Sequence, residues 1–157
     1  MKSLNQLIKL QRMLVKIRRI YLVKFWGMDI DPTVVMSMSA KLDLTYPKGI
    51  HIGAQTYLSF GAAVLSHDMS RALKTDTRIG RCCFIGARSI IMPGVAVGNH
   101  CIVAAGAIVT KDVPDNCVVA GNPATIIREN INTLPYGRLE SAVLKVRAAA
   151  AAGTSTR

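Results

Sequence analysis

The sequence predicts an all-β solenoid, in which short strands stack in parallel around a triangular coil. An aliphatic residue returns at every sixth position through the middle of the chain: Ile79, Ile85, Ile91, Val97, Val103 and Val109. This period fits neither an amphipathic helix nor a long alternating strand, but it fits a short strand followed by a turn. Aromatic residues make up only 5% of the chain, which indicates a core of small and branched side chains.

Small residues accompany the aliphatic positions at fixed offsets. The next residue is often one of them: Gly80, Gly86, Gly98 and Ala104. Four positions after each aliphatic residue stands another small or branched one: Cys83, Ser89, Val95, Cys101, Ala107 and Val113. Glycine permits turn geometry that a Cβ would oppose. Three such sides make one coil, so each aliphatic side chain is predicted to stack on its counterpart about 4.8 Å along the axis.

The pattern continues upstream with two interruptions. Ile30, Met36 and Leu42 keep the period, and after an insertion at 46–49 it resumes at Ile52, Leu58 and Val64. The step from Val64 to Ile79 is fifteen positions, three more than two repeats. We therefore expect a loop over 70–78, and loops on a rigid scaffold often carry function.

The length of 157 residues favours one domain with two extensions. The sequence predicts a basic amphipathic helix in residues 1–28 and the solenoid over 29–128. It predicts a C-terminal extension over 129–157, with a short Ala-rich helix at 138–150 followed by a mobile tail.

The N-terminal segment carries seven Lys or Arg and no acidic residue. One face of the predicted helix is apolar: Leu10, Met13, Leu14, Ile17 and Tyr21. Another face is cationic: Lys2, Lys9, Arg12, Lys16 and Arg19. Two roles stay open, namely a cap over the end of the coil and a helix lying on an anionic membrane surface.

The net charge of +11 indicates an anionic partner. No basic patch is interleaved with aromatic residues, so nucleic acid is not expected. The chain shows neither a leader segment nor an apolar run of about 18 residues. We therefore expect a cytoplasmic protein, with peripheral contact at the inner face of the membrane as an additional hypothesis.

The cysteines form no metal-binding pattern, and no metal is expected. They are Cys82, Cys83, Cys101 and Cys117. Cys83 and Cys101 lie one coil apart, so we expect them to stack in the core as inert thiols.

One histidine lies where the period breaks. His67 stands beside Asp68 just before the predicted loop, whereas His51 and His100 lie in regular repeats. A histidine next to an acid at the edge of a loop suggests acid–base chemistry, although a lone histidine is more often structural.

Four segments resemble the hexapeptide-repeat acyltransferases over about residues 30–128. They are Ser-His-Asp at 66–68, Ile-Gly-Arg-Cys-Cys-Phe-Ile-Gly-Ala at 79–87, Ala-Ala-Gly-Ala-Ile-Val-Thr-Lys-Asp-Val-Pro at 104–114, and Val-Ala-Gly-Asn-Pro-Ala-Thr-Ile-Ile-Arg at 119–128. The resemblance is to the galactoside and maltose O-acetyltransferase branch, and is closer still to bacterial polysaccharide O-acetyltransferases. It implies a left-handed parallel β-helix and a homotrimer with active sites between subunits.

The resemblance also implies roles for individual residues. It makes His67, with Asp68 beside it, the general base that takes a proton from the acceptor hydroxyl. It places the donor, acetyl-CoA, against six residues: Phe84, Ala87, Ala105, Thr110, Lys111 and Arg128. The two alanines would contact the pantetheine arm through their backbones, and the cations would approach the phosphates. For Phe84, packing between subunits remains an equal alternative.

The implied function is transfer of acetyl to a sugar hydroxyl by direct attack on the thioester, in surface polysaccharide biosynthesis. Two alternatives stay open: an N-acetyltransferase acting on an amino sugar, and a non-catalytic scaffold. A zinc enzyme of the γ-class carbonic anhydrase type would need three converging histidines. The spacings of 16 and 33 positions between the histidines argue against it.

Overall fold

Strands of only two residues dominate the chain, because it turns a corner every few residues. The structure is a computed structural model that describes residues 8–154, with side chains at 10–150. The strands assemble into three parallel sheets that form the sides of a prism.

Each sheet takes one strand from each coil. The first sheet contains β1 (Asp29–Ile30), β4 (Ile50–Ile52), β9 (Thr77–Ile79) and β12 (Ala96–Val97), in that order. The second contains β2 (Val35–Met36), β5 (Tyr57–Leu58), β10 (Phe84–Ile85), β13 (Ile102–Val103) and β15 (Val118–Gly121), and ends with the antiparallel β16 (Ala124–Arg128). The third contains β3 (Lys41–Leu42), β6 (Ala63–Val64), β11 (Ile90–Ile91) and β14 (Ile108–Val109).

The chain visits the three sheets in turn. The first coil is β1–β2–β3, the second β4–β5–β6, the third β9–β10–β11 and the fourth β12–β13–β14. A partial fifth coil follows, since Val113 bridges Val97 in parallel and β15 pairs with β13. The prediction of short strands stacked in parallel sheets is therefore confirmed.

The six-residue repeat forms the core. In the second sheet Leu58, Ile85 and Val103 are in register, and all three side chains are fully buried. Cys83 and Cys101 are also fully buried. Interaction with the Cys101 thiol, together with burial, raises the pKa of the Cys83 thiol. Cys83 therefore has little thiolate character, as expected of an inert core cysteine.

The glycines that follow aliphatic residues are needed mainly for close approach between coils. A Cβ on Gly86 would lie 2.5 Å from the backbone nitrogen of Ala105 in the next coil and 2.6 Å from the carbonyl oxygen of Val103. Only glycine can occupy this position without separating the coils.

Helix α1 (Ile8–Lys24) crosses the end of the first coil. Leu22 is buried, and Val15 and Trp26 pack against the core from above. The Arg18 guanidinium donates hydrogen bonds to the carbonyls of Ser37 at 2.7 Å and Ala40 at 2.5 Å, where the first coil turns from β2 to β3. The helix thus covers apolar side chains and satisfies backbone carbonyls at this end of the prism.

The face of α1 that packs is not the apolar face predicted from sequence. The predicted side chains are all exposed: Leu10, Met13, Leu14, Ile17 and Tyr21. The packed residues lie along a neighbouring stripe that includes Arg18, because a long cation there bonds with the coil's carbonyls.

Between the second and third coils the chain forms a β-hairpin. Strand β7 (His67–Asp68) pairs antiparallel with β8 (Leu73–Lys74). The predicted loop over 70–78 is therefore partly extended, and its last two residues, Thr77 and Arg78, already belong to β9. The earlier insertion forms a 3₁₀ turn over Pro47–Gly49.

The C-terminal segment packs back on the second sheet. Strands β17 (Thr133–Leu134) and β18 (Arg138–Leu139) form a hairpin. The Thr133 hydroxyl donates to the Cys82 carbonyl at 2.7 Å, and the Tyr136 N–H donates to the Gln55 carbonyl at 2.7 Å.

Helix α2 (Glu140–Thr154) follows this hairpin. It starts two residues later than predicted and continues through residues 151–154, which were expected to be a mobile tail; the rest of that tail lies outside the described residues. Within residues 8–154, neither helix is both long and apolar enough to cross a lipid bilayer.

Candidate active site

His67 lies at the corner where the chain leaves the third sheet and returns to the first. Its Nδ1 atom is in hydrogen-bond contact with Oδ2 of Asp43, a residue of the preceding coil. The His67 side chain is 25% exposed, whereas that of Asp43 is only 3% exposed. The imidazole is therefore open to solvent and is supported from inside by a buried carboxylate.

The Asp43 carboxylate has a full set of donors. Oδ2 accepts the N–H groups of Ser66 and His67, each at 3.0 Å, and Oδ1 accepts the Thr45 N–H at 2.8 Å. Burial raises the pKa of Asp43, but the hydrogen bonds from Ser66, His67 and Thr45 together lower it to about 2. Asp43 is therefore ionised at neutral pH.

This geometry fixes which ring nitrogen can act as a base. A carboxylate only accepts hydrogen bonds, so neutral His67 carries its proton on Nδ1. Nε2 then has a free lone pair, and no hydrogen-bond partner reaches it from the described part of the chain. The arrangement can accept a proton at Nε2 while Asp43 stabilises the resulting imidazolium.

Asp68, the acid that the sequence sets beside His67, makes its hydrogen bonds within the hairpin that follows. Its carboxylate accepts hydrogen bonds from the Ser70 hydroxyl at 2.6 Å and from Nε of Arg71 at 2.7 Å. These bonds, from Ser70 first and Arg71 second, hold the pKa of Asp68 below its usual value. Asp68 thus stabilises the turn of the β7–β8 hairpin.

Sequence reasoning missed Asp43, although a signal was present. The aliphatic columns pair Leu42 with Val64 across β3 and β6. That register sets Asp43 beside the residue after Val64, just before Ser66 and His67. Superposing the coils would have shown an acid facing the histidine.

Thr110 and Lys111 lie at the same corner of the prism as His67. They follow β14 in the fourth coil, and both are exposed. Two coil spacings correspond to about 10 Å along the axis. The structure therefore brings these two predicted donor-binding residues to the edge that carries the histidine.

Ala87 and Ala105 lie at a different corner, between the second and third sheets. They are adjacent to each other, since the Gly106 N–H donates to the Ala87 carbonyl at 2.8 Å. Within one chain they are not next to His67. The four predicted donor-binding positions are therefore divided between two corners of the prism.

Phe84 is engaged in packing. Its ring stacks on Tyr57 with centroids 5.6 Å apart and an interplanar angle of 19°. Gly137 of the C-terminal hairpin lies against the backbone nitrogen and Cβ of Phe84. Arg128 is exposed at the end of β16, where it pairs with Val118.

The other histidines are held in separate interactions. His51 lies between Asp29, at 3.1 Å from Nδ1, and Asp76, at 3.4 Å from Nε2. The His100 ring contacts the hydroxyl and carbonyl of Thr133 at 3.1 Å. In the described portion of the chain, no three His, Cys, Asp or Glu side chains are grouped so as to hold a metal ion.

Comparisons with known proteins agree with the repeat. Residues 76–111 match the family described as "Hexapeptide repeat of succinyl-transferase". The chain is similar to the putative acetyltransferase YvoF of Bacillus subtilis (strain 168), with 33% identity over 108 residues, which is 66% of this chain and 61% of YvoF. It is also similar to 2,3,4,5-tetrahydropyridine-2,6-dicarboxylate N-acetyltransferase of Staphylococcus aureus (strain MRSA252), with 41% identity over 85 residues, which is 54% of this chain and 33% of that protein. The chain thus spans between a third and three fifths of the length of these relatives.

Two solved structures share the fold. The polySia-specific acetyltransferase NeuO matches with a TM-score of 0.55 and 26% identity, over 78% of this chain and 60% of NeuO. The hexapeptide-repeat-containing acetyltransferase VCA0836 from Vibrio cholerae matches with a TM-score of 0.54 and 21% identity, over 80% of this chain and 89% of that one. The fold and the repeat define a hexapeptide-repeat β-solenoid. The resemblance to the hexapeptide-repeat acyltransferases is confirmed.

Proposed function

We propose that this protein transfers an acetyl group from acetyl-CoA to a hydroxyl of a saccharide acceptor, with His67 as the general base. One observation carries the proposal: a buried, ionised Asp43 holds Nδ1 of His67 and leaves Nε2 free at a solvent-exposed corner. A base with its lone pair fixed toward solvent is what deprotonation of an incoming hydroxyl requires.

The chemical step balances without an acyl-enzyme. The acceptor oxygen attacks the thioester carbonyl carbon while its proton moves to Nε2 of His67. The tetrahedral intermediate then collapses, the C–S bond breaks, and the imidazolium returns the proton to the coenzyme sulfur. An acetyl ester and free coenzyme A leave, and His67 is neutral again. Asp43 stabilises the imidazolium between the two proton transfers.

The donor site is proposed to form between two subunits of a homotrimer of left-handed coils. Thr110 and Lys111 lie at the histidine's corner, and a cation and a hydroxyl there suit the coenzyme phosphates. Ala87 and Ala105 lie at another corner, so a neighbouring subunit would supply these small residues for the pantetheine arm. Cyclic symmetry repeats such a contact at every boundary.

The nature of the acceptor is supported only by relatives. The name of NeuO, a polySia-specific acetyltransferase, supports a saccharide and, with it, a place in surface polysaccharide biosynthesis. The N-acetyltransferase of Staphylococcus aureus favours an amino group as the second candidate acceptor.

A screen with labelled acetyl-CoA tests the proposal. Purified protein is incubated with sugars, amino sugars and glycan fragments, and the products are analysed by mass spectrometry. Mild alkali removes label from an ester but not from an amide, which distinguishes the two acceptor classes. We expect alkali-labile label on a saccharide, and loss of transfer in His67→Ala. If a folded parent protein neither transfers nor hydrolyses the acetyl group, the non-catalytic scaffold replaces this proposal.

A further inference from the structure

An apolar stripe on α1 has no partner among the side chains that the structure describes, at residues 10–150. Seven large side chains along α1 and the turn after it are between 41% and 70% exposed: Leu10, Met13, Leu14, Ile17, Ile20, Tyr21 and Phe25. Such a continuous run on a single helix is unlike the scattered apolar residues of an ordinary surface. It indicates a docking surface.

The stripe is separate from the face that covers the prism. Leu22 and Arg18 make the contacts with the first coil, and they lie about a quarter to a third of a turn around the helix from Tyr21 and Ile17. The core therefore does not require the exposed side chains. Packing against the core of this chain therefore does not explain why these exposed residues are apolar.

The C-terminal end of the stripe is aromatic. Tyr21 and Phe25 stack with centroids 5.2 Å apart, and Phe25 meets the Trp26 ring edge-on at 5.3 Å. Aromatic rings of this kind favour the boundary between lipid headgroups and acyl chains.

The charge of α1 favours an anionic occupant for the stripe. The side chains of Arg12, Lys16 and Lys24 are exposed on α1, and residues 1–28 contain no acid. The remainder of the chain has 13 Lys and Arg against nine acids, so it is also positive. The exposed cations of α1 have no acidic neighbour within residues 1–28, so an anionic surface would attract this helix.

We propose that α1 docks this protein on an anionic lipid bilayer. The stripe enters the headgroup region and its apolar boundary, to a depth of about 5–10 Å. Lys16, at the edge of the stripe, and Lys24, among its residues, meet the lipid phosphates. Electrostatic attraction and apolar burial then contribute together, as in other amphipathic helices that lie in a membrane interface.

Co-sedimentation of the full chain with vesicles tests this surface. The probes are vesicles of phosphatidylcholine alone and vesicles containing a quarter phosphatidylglycerol. We expect binding to the anionic vesicles that weakens as salt rises. Lys16→Gln with Lys24→Gln should lower the partition coefficient roughly 25-fold, at about fivefold per cation. Ile17→Gln with Phe25→Gln should lower it on the order of 100-fold.

The variants are chosen so that folding is retained. Ile17 and Phe25 are 55% and 70% exposed, and Val146→Gln on α2 is the matched control because Val146 is also 70% exposed. The control should bind vesicles like the parent. Light scattering of each variant measures its oligomeric state.

Three outcomes would overturn the proposal. If the parent protein binds neither vesicle type, the stripe is a binding surface for another protein. Equal binding to neutral and anionic vesicles would show that the cations of α1 do not contribute to membrane binding. A change of oligomeric state in Ile17→Gln with Phe25→Gln, with no vesicle binding by the parent, makes the stripe a contact between copies.

Discussion

The carboxylate of Asp43 holds Nδ1 of His67 although the two residues are 24 positions apart in the sequence. They meet because successive coils stack, so that the end of one coil lies beside the same corner of the next. The adjacent acid, Asp68, instead bonds with the hairpin that follows. The two carboxylates therefore have different roles, and each can be tested by its own substitution.

Replacing His67 with alanine should abolish most turnover and leave the coil intact. His67 lies outside the buried columns, and a positioned general base contributes typically 10²–10⁴-fold, so kcat should fall by about that factor. Steady-state kinetics and circular dichroism measure the two effects. His51→Ala is the control and should remain near the parental rate, because His51 lies on the first sheet between Asp29 and Asp76. Parental turnover in folded His67→Ala would contradict the mechanism.

Asp43→Asn should lower kcat by at least about 10²-fold, because an amide no longer fixes the proton on Nδ1 of His67. Asp68→Asn is the matched control, being the neighbouring acid without contact to the ring. Equal losses in both variants would show that the Asp43 contact is not specific to catalysis.

Acid should unfold the protein partly through Asp43. The pKa of Asp43 is lowered from its ordinary value near 4 to about 2, so the folded state binds this proton less readily than the unfolded state does. The stabilisation is complete above about pH 4 and is lost as the pH falls toward 2. Its size is on the order of 2 kcal/mol. Denaturant unfolding between pH 5 and 2 should therefore show a shallower pH dependence in Asp43→Asn, and an unchanged slope would contradict the assignment.

The solenoid could be predicted from sequence because every coil buries the same position. Ile85 and Val103 stand eighteen residues apart and pack one above the other, so the period reports the register directly. Helix α1 was harder, because it has two apolar stripes and periodicity cannot tell which one packs. Arg18 lies on the stripe that packs and donates hydrogen bonds to carbonyls of the first coil. No sequence pattern predicts those bonds. The Asp43–His67 pair also depends on register, and the adjacent Asp68 concealed it.

Removal of Lys111 or Arg128 should weaken donor binding more than catalysis. Contacts to the coenzyme phosphates do not change during the reaction, so each alanine variant should raise KM for acetyl-CoA with a smaller change in kcat. A donor lacking the 3′-phosphate should reduce the effect of at least one variant. Lys145→Ala on α2 serves as the control cation. If both variants bind the coenzyme like the parent, the phosphates lie elsewhere.

Gly137→Ala should loosen the C-terminal hairpin. Gly137 has φ +66°, and a Cβ there would lie 2.4 Å from the backbone nitrogen and the Cβ of Phe84. The left-handed conformation alone costs an L-residue about 1–2 kcal/mol, and the collision adds to it. Thermal unfolding and limited proteolysis after residue 130 report the loss. An unchanged melting temperature would mean that the hairpin does not cover Phe84 in solution.

The stacking of coils also fixes the distance between helix α1 and His67. Helix α1 covers the first coil and His67 belongs to the second, one spacing of about 4.8 Å further on. The distance between the imidazole and the exposed stripe of α1 is therefore set by the stacking of the first two coils. A chain bound to a bilayer through α1 would hold His67 at a fixed distance from the lipid headgroups. Sugars carried close to a lipid headgroup would reach His67, and those at the far end of a long glycan would be passed over.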